Sequence, residues 1–384
     1  MIKRILQDTI QEKFSLKKAI IILGPRQTGK TTLLKQLIDK NRNDVFWLNA
    51  DKLNERMLFA DENFNDFLSY LSGKKFLVVD EAQRIDDIGL KLKIIYDEMD
   101  IQIVATGSSS FDLSNRLNES MTGRKLQYHL YPFSFEELAL EYGVFQEVNN
   151  LNNRLIYGSY PDVVLQPEHK RELLENLTSS YLYKDILEWD LVKNSQKLLK
   201  LLQALAFQIG SQVSYHELGQ IIGVSSATVE NYIDLLEKTF VVFTLHSFSR
   251  NLRNELKKSK KIYFYDNGIR NALINNFNWP ELRNDMGALW ENYIISERIK
   301  FASYHQLYAN RYFWRTRLKQ EVDYMEERNG KLYAYEFKWN PRKKAKIPGV
   351  FTEAYPEAEV KIITPDNYTD FIMPDRDAHK DVLS

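Results

Sequence analysis

The chain has 384 residues and a formal net charge of zero, with 52 basic and 52 acidic side chains. This length predicts two or three domains, and the balanced charge means that any surface for nucleic acid must come from local clustering. Cysteine is absent, which excludes disulfides, thiolate metal sites and cysteine nucleophiles. No apolar run approaches the ~20 residues that span a bilayer, and residues 1–8 soon turn charged, so we expect a cytoplasmic protein with no membrane partner.

A phosphate-binding pattern follows the first apolar run. Residues 19–23 lead into the spacing G-x-x-x-x-G-K-T, and a helix-like segment comes next. In this context backbone N–H groups face phosphate oxygens, and the helix N-terminus adds a partial positive charge. We expect Lys30 to reach the β- and γ-phosphates and Thr31 to ligate Mg²⁺. The residues predicted to bind ATP are Gly24, Pro25, Arg26, Gln27, Thr28, Gly29, Lys30, Thr31 and Thr32.

Four further apolar runs have the length of buried strands. They cover residues 45–49, 76–80, 101–106 and 127–132, and segments with helical periodicity separate them. Strands that alternate with helices predict a parallel sheet covered on both faces. The predicted fold class is therefore α/β, beginning with a P-loop NTPase sheet.

An acidic pair ends the run at residues 76–80 and has the form of a Walker B motif. We predict that Asp80 holds the metal shell and that Glu81 is the general base for the attacking water. The next run ends in Thr106-Gly-Ser108, where a polar side chain can contact the γ-phosphate or the water. Ser108 is the first choice and Thr106 the second, and the alternative is that either residue only ends a strand.

Two arginines, Arg116 and Arg124, follow this strand end. Phosphoryl transfer gains from an arginine that meets the developing charge, often one from a neighbouring subunit. We predict this role in trans for Arg124, with Arg116 as the other candidate. For each arginine alone, a solvated surface position is the alternative.

After residue 135 the pattern becomes helical. Ser214 and Glu217 form a capping box, Gly223 ends that helix, and a second helix begins at Ser225. Two short helices around a tight glycine turn predict a helix-turn-helix, with residues 240–245 as a wing strand. The alternative is a helical hairpin that serves only packing.

From residue 261 the chain is strand-rich again, with a predicted helix at 286–301 and strands at 307–314, 320–326 and 331–339. This order predicts a separate α/β unit.

Four charged residues in this unit suggest a second site. Period-2 alternation puts Glu336 and Lys338 on one strand face, and a hairpin can bring Asp323 close to them. Glu291, on the preceding helix, completes the cluster. Carboxylates that bind Mg²⁺ or Mn²⁺ beside a lysine suit phosphodiester hydrolysis, and the alternative is that these charges form ion pairs or have no role.

A basic run precedes this unit, from Arg250 to Lys261. Such a run can bind DNA phosphates, although a solvated loop is an equal alternative. The residues predicted to contact DNA are Lys257, Lys258, Lys260 and Lys261.

In their order, these motifs resemble those of the bacterial and archaeal AAA-superfamily ATPases that carry a C-terminal domain of unknown function. The resemblance implies an AAA-type ATPase core, a winged-helix region and a restriction-endonuclease-like end domain. The Walker residues Lys30, Thr31, Asp80 and Glu81 match the family pattern, and Arg124 resembles its Gly-Arg arginine. The motifs, in chain order, are Gly24-Pro-Arg-Gln-Thr-Gly-Lys-Thr, Leu77-Val-Val-Asp-Glu-Ala-Gln83, Thr106-Gly-Ser-Ser-Ser, Gly123-Arg124, Tyr131-Pro-Phe-Ser-Phe-Glu-Glu137, Ala288-Leu-Trp-Glu-Asn-Tyr and Glu321-Val-Asp with Glu336-Phe-Lys-Trp339.

The domain boundaries that we predict are 1–140 for the ATPase domain, 141–250 for the helical and winged-helix region and 251–384 for the nuclease-like domain. The first functional hypothesis is Mg²⁺-dependent ATP hydrolysis coupled to DNA binding or remodelling by a homo-oligomer, for which a hexamer is one candidate. A slow nucleotide-dependent switch that gates a binding module is the second hypothesis. The third is a nuclease licensed by ATP.

Overall fold

The structure is a computed structural model that describes residues 2–39, 41–60, 62–108, 120–181, 195–248, 259–342 and 346–374. Contacts divide the chain into two compact units. The described residues of Met1–Pro132 and Lys238–Phe240 form the first unit, and those of Phe133–Glu237 and Val241–Ser384 form the second. Across the described residues, no helix is both long and apolar enough to cross a membrane.

The first unit alternates strands and helices, as its apolar runs predict. Short 3₁₀ turns connect several of them, and the turn Ala82–Arg84 after the third strand matters for the site below. The main elements are α1 (Ile5–Lys13), β1 (Ala19–Leu23), α2 (Lys30–Leu37), β2 (Val45–Asn49), α3 (Leu53–Arg56), α4 (Phe64–Tyr70), β3 (Phe76–Asp80), α5 (Ile88–Glu98), β4 (Gln102–Gly107) and β5 (Lys125–His129).

These five strands form one parallel sheet in the order β2-β3-β4-β1-β5. Ile20 pairs with Val104 of β4 on one side and with Leu126 of β5 on the other, so β1 is a central strand. All five residues of β1 are buried, as expected for a parallel strand covered on both faces. The carboxyl ends of all five strands lie at one edge, and the predicted parallel α/β sheet is confirmed.

The second unit begins with a helical stretch that ends in a helix-turn-helix. Its core consists of buried aliphatic side chains such as Leu201, Leu205, Val229 and Leu236. The helices are α6 (Phe135–Tyr142), α7 (Val144–Asn149), α8 (Leu151–Tyr157), α9 (Pro161–Leu165), α10 (Lys170–Asn176), α11 (Ser195–Phe207), α12 (Tyr215–Ile222) and α13 (Ser226–Lys238).

The end of the chain adds strands and further helices. They are β6 (Gln212–Val213), β7 (Val242–Ser247), β8 (Lys260–Phe264), α14 (Asn267–Leu273), α15 (Met286–Tyr304), β9 (Asn310–Arg315), β10 (Glu321–Arg328), β11 (Lys331–Phe337), α16 (Gly349–Ala354), β12 (Glu359–Ile363) and α17 (Thr369–Ile372).

These strands form one seven-stranded sheet, in the order β12-β11-β10-β9-β7-β8-β6. Two helices form around the glycine turn as predicted, because the Ser214 side chain accepts from the N–H of Glu217 and caps α12, and Gly223 ends it with φ 69°. The strand predicted as a wing is β7, which pairs with β8 and also, in parallel, with β9. It therefore lies inside the sheet. Strands from both sides of the predicted boundary at residue 250 share this sheet, so no break between compact units falls there.

Candidate active site

The loop from Gly24 to Gly29 connects β1 to α2 at the carboxyl edge of the parallel sheet. A side chain at Gly24 would place its Cβ atom 2.1 Å from the carbonyl oxygen of Leu130, so only glycine fits this close approach. Gln27 and Gly29 have φ angles of 58° and 91°. The left-handed backbone turns the loop sharply enough to begin α2 at Lys30, as a phosphate-binding loop requires.

Lys30 is buried, and its ammonium group lies at the start of the loop. It donates to the carbonyl oxygens of Gly24 at 3.0 Å and Pro25 at 2.9 Å. The Thr28 hydroxyl also donates to the Pro25 carbonyl, at 2.8 Å. The loop therefore keeps a positive charge at the N-terminus of α2, where an anion is favoured.

A buried carboxylate links the loop to two neighbouring strands. Asp80, at the end of β3, accepts a hydrogen bond from the Thr31 hydroxyl at 2.7 Å and another from the Thr106 hydroxyl at 2.5 Å. The Thr106 oxygen in turn accepts from the backbone N–H of Glu81 at 3.1 Å. Hydroxyl and carboxylate oxygens are the ligands that Mg²⁺ prefers, so Thr31 and Asp80 fit the predicted metal role.

Glu81 lies directly after β3 with a positive φ of 55°. Burial opposes its ionised form, but the charge of Lys30 and a hydrogen bond from Gln83 lower its pKa below the ordinary value. The Gln83 amide nitrogen donates to Glu81 Oε2 at 2.6 Å and to the Ser108 hydroxyl at 3.0 Å. The structure thus brings Glu81 and Ser108 together through a residue that the sequence analysis did not name as a site residue.

Arg4 is a second residue that the sequence analysis missed. It is buried, and its guanidinium donates to the carbonyl oxygens of Thr28 and Tyr131, both at 2.7 Å. These acceptors lie 24 and 127 residues away in sequence, and no local pattern marks such contacts. Arg4 therefore holds the phosphate-binding loop to the segment that follows β5.

Arg124 lies at the opposite edge of the sheet. It directly precedes β5, and its carbonyl oxygen accepts from the N–H of Ala19, the first residue of β1. A strand of five residues is roughly 16 Å long, so Arg124 is remote from the loop that follows β1. Its guanidinium forms a two-bond ion pair with Asp97 of α5, at 2.7 and 3.1 Å. The other candidate, Arg116, lies outside the described residues.

The charged residues of the second unit meet around a lysine. Lys261 of β8 is 1% exposed and forms ion pairs with Glu291 Oε1 at 3.1 Å and with Glu321 Oε1. The Tyr263 hydroxyl also donates to Glu291, at 2.5 Å. We call Lys261, Tyr263, Glu291 and Glu321 the lysine cluster. Because Lys261 is buried here, the prediction that it contacts DNA is wrong for this structure.

The three other predicted residues border the lysine cluster. Asp323 accepts from the backbone N–H of Phe337 at 2.9 Å, and Lys338 donates to Glu336 Oε1 at 2.5 Å. Burial raises the pKa of Glu291 to about 7 and that of Asp323 to about 6, and the negative charge of Glu336 adds to the second shift. Burial opposes the charge of Lys261, but the surrounding carboxylates raise its pKa above the ordinary value.

This arrangement does not fit a divalent metal ion. Over the parts of the chain that the structure describes, no group of three or more His, Cys, Asp or Glu side chains is placed to hold one. Two of the carboxylates, on Glu291 and Glu321, already face the ammonium group of Lys261. Glu291 and Glu336 form ion pairs, with Lys261 and Lys338, which is the alternative that the sequence left open for them, and cleavage stays a prediction.

Three other lysines were predicted to contact DNA. Lys257 and Lys258 lie outside the described residues. Lys260 is half-buried and donates to the Tyr215 hydroxyl at 3.1 Å, with Glu230 at 3.5 Å. On α13, Glu230 and Asp234 are exposed, and these carboxylates repel phosphates. The helix-turn-helix therefore lacks a basic face along its second helix.

Replacement of Lys261 by methionine will destabilise the protein strongly. The change keeps the side-chain length but removes the buried cation that Glu291 and Glu321 share, which costs about 3–5 kcal/mol. Lys260→Met is the matched control on the neighbouring, more exposed residue, with an expected loss of at most about 1 kcal/mol. Denaturant unfolding measures both. The double variant Lys261→Met/Glu321→Gln will recover part of the loss, and equal losses for the two single variants would contradict the buried-cation assignment.

Three domain families match consecutive segments of the chain. Residues 16–139 match the AAA domain family, residues 148–279 match a domain of unknown function (DUF8612), and residues 286–374 match another domain of unknown function (DUF4143). None of the three covers half of the chain.

Two relatives by sequence carry the name uncharacterised protein. One, from Methanocaldococcus jannaschii, is 29% identical over 71% of this chain and 67% of its own length. Another, from Mycobacterium tuberculosis, is 26% identical over 83% of this chain and 70% of its own length. Among solved structures, the RuvB Holliday junction branch migration motor of Thermotoga maritima is 15% identical to this chain. The match covers 68% of this chain and 92% of that one, with a TM-score of 0.33. The AAA domain match supports an AAA-type ATPase.

Proposed function

We propose that this chain is a Mg²⁺-dependent ATPase that works as a homo-oligomer and couples ATP hydrolysis to DNA binding or remodelling. The observation that carries the ATPase part is the junction at Asp80. One carboxylate is hydrogen-bonded to Thr31 of the loop and to Thr106 of β4, and the next residue, Glu81, is an ionisable base.

The loop residues bind and orient the triphosphate. Lys30 exchanges its carbonyl acceptors, Gly24 and Pro25, for phosphate oxygens, which carry more negative charge and bind an ammonium group more strongly. Thr31 and Asp80 would hold Mg²⁺, which would supply positive charge to offset that of the phosphates. Their oxygen atoms, 2.7 Å apart, are the support for this assignment.

Glu81 takes the proton of the attacking water. Its carboxylate is ionised at neutral pH because its pKa is below the ordinary value, so it can accept a proton as the water attacks. Ser108, at the end of β4, is held beside it through Gln83. It is our candidate for the residue that senses the γ-phosphate.

The proposal of an oligomer follows from the role predicted for Arg124. It lies at the edge of the sheet away from its own phosphate-binding loop, so its predicted role as a finger requires a second subunit. The DNA part rests on the resemblance, since the described surface of α13 is acidic and Lys257 and Lys258 are outside the described residues.

The Glu81→Gln variant will bind ATP with affinity close to that of the wild type and hydrolyse it roughly 100-fold or more slowly, because an amide cannot take the proton of the water. Lys30→Ala will lose nucleotide binding. Steady-state turnover and binding of a fluorescent ATP analogue measure these effects. Glu98→Gln, the same change at an exposed position of α5, is the matched control. Turnover by Glu81→Gln within a few-fold of the wild type would rule out the base assignment.

A mixture of Arg124→Ala and Lys30→Ala proteins will regain part of the ATPase rate. Some interfaces in the mixture pair an intact loop from one subunit with an intact arginine from the other. An oligomer of either variant alone has no interface of this kind. The rate is measured as a function of mixing ratio, after subunit exchange has been verified with labelled protein. A mixture that stays as inactive as its components, although subunits exchange, would contradict action in trans.

DNA will stimulate the ATPase rate several-fold if turnover is coupled to it. The rate and the particle size are compared without DNA and with duplex, single-stranded and branched DNA, and Lys30→Ala serves as the control for contaminating ATPases. An unchanged slow rate with ATP retained on the protein would favour the nucleotide switch over the coupled enzyme.

A further inference from the structure

Gln83 links Glu81 and Ser108 of the proposed catalytic site through its amide nitrogen. Its amide oxygen has no hydrogen-bond partner among the described residues. The residue is in the 3₁₀ turn Ala82–Arg84, directly after Glu81. Its amide nitrogen donates to Glu81 Oε2 at 2.6 Å and to the Ser108 hydroxyl at 3.0 Å. An amide nitrogen has two hydrogens, and these two contacts use both.

The carboxylate of Glu81 determines which way the Gln83 amide points. If the oxygen and nitrogen of the amide were exchanged, Oε1 would face a negatively charged oxygen at hydrogen-bond distance, which is repulsive. The oxygen therefore stays on the side away from Glu81 Oε2. There it is buried and has no hydrogen-bond partner among the described residues.

A buried acceptor without a donor is unfavourable, and such exceptions need an explanation. Here the explanation is chemical, because the atom is next to the proposed general base. A water molecule has two O–H groups and needs two acceptors to be oriented. For a water admitted to this closed position when the nucleotide binds, Glu81 would supply one carboxylate oxygen and Gln83 would supply Oε1, so the lone pair of the water would remain free to attack.

We propose that Gln83 is a catalytic residue that holds the attacking water through its Oε1 atom. The inference rests on the proposed ATPase function. The water oxygen forms a bond to the γ-phosphorus, and the bond from that phosphorus to the β,γ-bridging oxygen breaks, with its electron pair leaving on ADP. One proton of the water passes to Glu81. The other, on the side of Gln83, remains on the inorganic phosphate.

Two variants separate this role from a structural one. Gln83→Ala removes the acceptor, and Gln83→Glu keeps the shape of the side chain but places a second negative charge against Glu81. In both, the hydrolysis of pre-bound ATP in a single turnover will slow roughly 100-fold, while the affinity for a fluorescent ATP analogue stays within a few-fold of the wild type. A residue that only supports the fold would change affinity and thermal stability instead.

The matched control is Gln36 on α2, which also has a buried side-chain oxygen without a partner but no contact with Glu81. Gln36→Ala will leave the single-turnover rate unchanged. The double variant Glu81→Gln/Gln83→Ala will be about as slow as Glu81→Gln alone, because both residues act on the same water.

Three outcomes overturn the inference. The first is a single-turnover rate near that of the wild type in both Gln83→Ala and Gln83→Glu, and the second is a double variant whose loss is the product of the two single losses. Either result leaves the proposed function intact. The third is a wild-type protein that binds ATP but does not hydrolyse it under any condition, and in that case the proposed function falls as well.

Discussion

The carboxylate of Asp80 is the point on which the first compact unit depends. It is 1% exposed, and a buried carboxylate is tolerated only when hydrogen bonds or a cation compensate it. Two hydroxyls do so, from Thr31 at the start of α2 and from Thr106 on β4. Strand β4 lies between β1 and β3 in the sheet. The same contacts that make the carboxylate stable therefore align the phosphate-binding loop, the acidic strand end and the polar strand end.

In the second unit the buried charged group is a cation, and carboxylates compensate its charge. Its lysine cluster buries an ammonium group between carboxylates from α15 and β10. A buried ion pair adds little net stability, but loss of one partner is costly. Such a cluster favours one packing of β8 against α15 and β10 over alternatives that would separate the charges. Glu291, one of the four residues that suggested a nuclease site, thus has a structural role in this arrangement, and its raised pKa follows from burial.

The sequence predicted best what is local along the chain. Gly24 to Thr31 form one continuous motif, and Asp80 ends an apolar strand. Spacing along the chain was therefore enough to predict the loop and the acidic strand end. Lys261 was misplaced because a run of lysines was treated as one surface. Adjacent residues of a strand face opposite sides of a sheet, and Lys260 and Lys261 both lie in β8, so the same alternation that linked Glu336 with Lys338 separates these two.

Other contacts had no signal in the sequence. Arg4 contacts a carbonyl oxygen 127 residues away, and any carbonyl can accept such a bond. The sequence showed that Gln83 follows Glu81 closely, but it did not show that the Gln83 amide nitrogen also donates to Ser108, 25 residues further on. Contacts of this kind follow from how strands are ordered in the sheet, which hydrophobic periodicity does not determine. The pairing of β7 with β9, across the predicted domain boundary, has the same origin.

Strand β5 connects Arg124 to the contact between Arg4 and Tyr131. Arg124 precedes its first residue, and the Tyr131 carbonyl that Arg4 holds lies two residues beyond its last. Along β5, backbone hydrogen bonds to β1 prevent it from bending independently of the sheet. Paired in this way, it spans the distance between the amino edge of the sheet and the Arg4 contact. One backbone-paired strand and one guanidinium group, which contacts both Tyr131 and Thr28, therefore join Arg124 to the loop that holds phosphate.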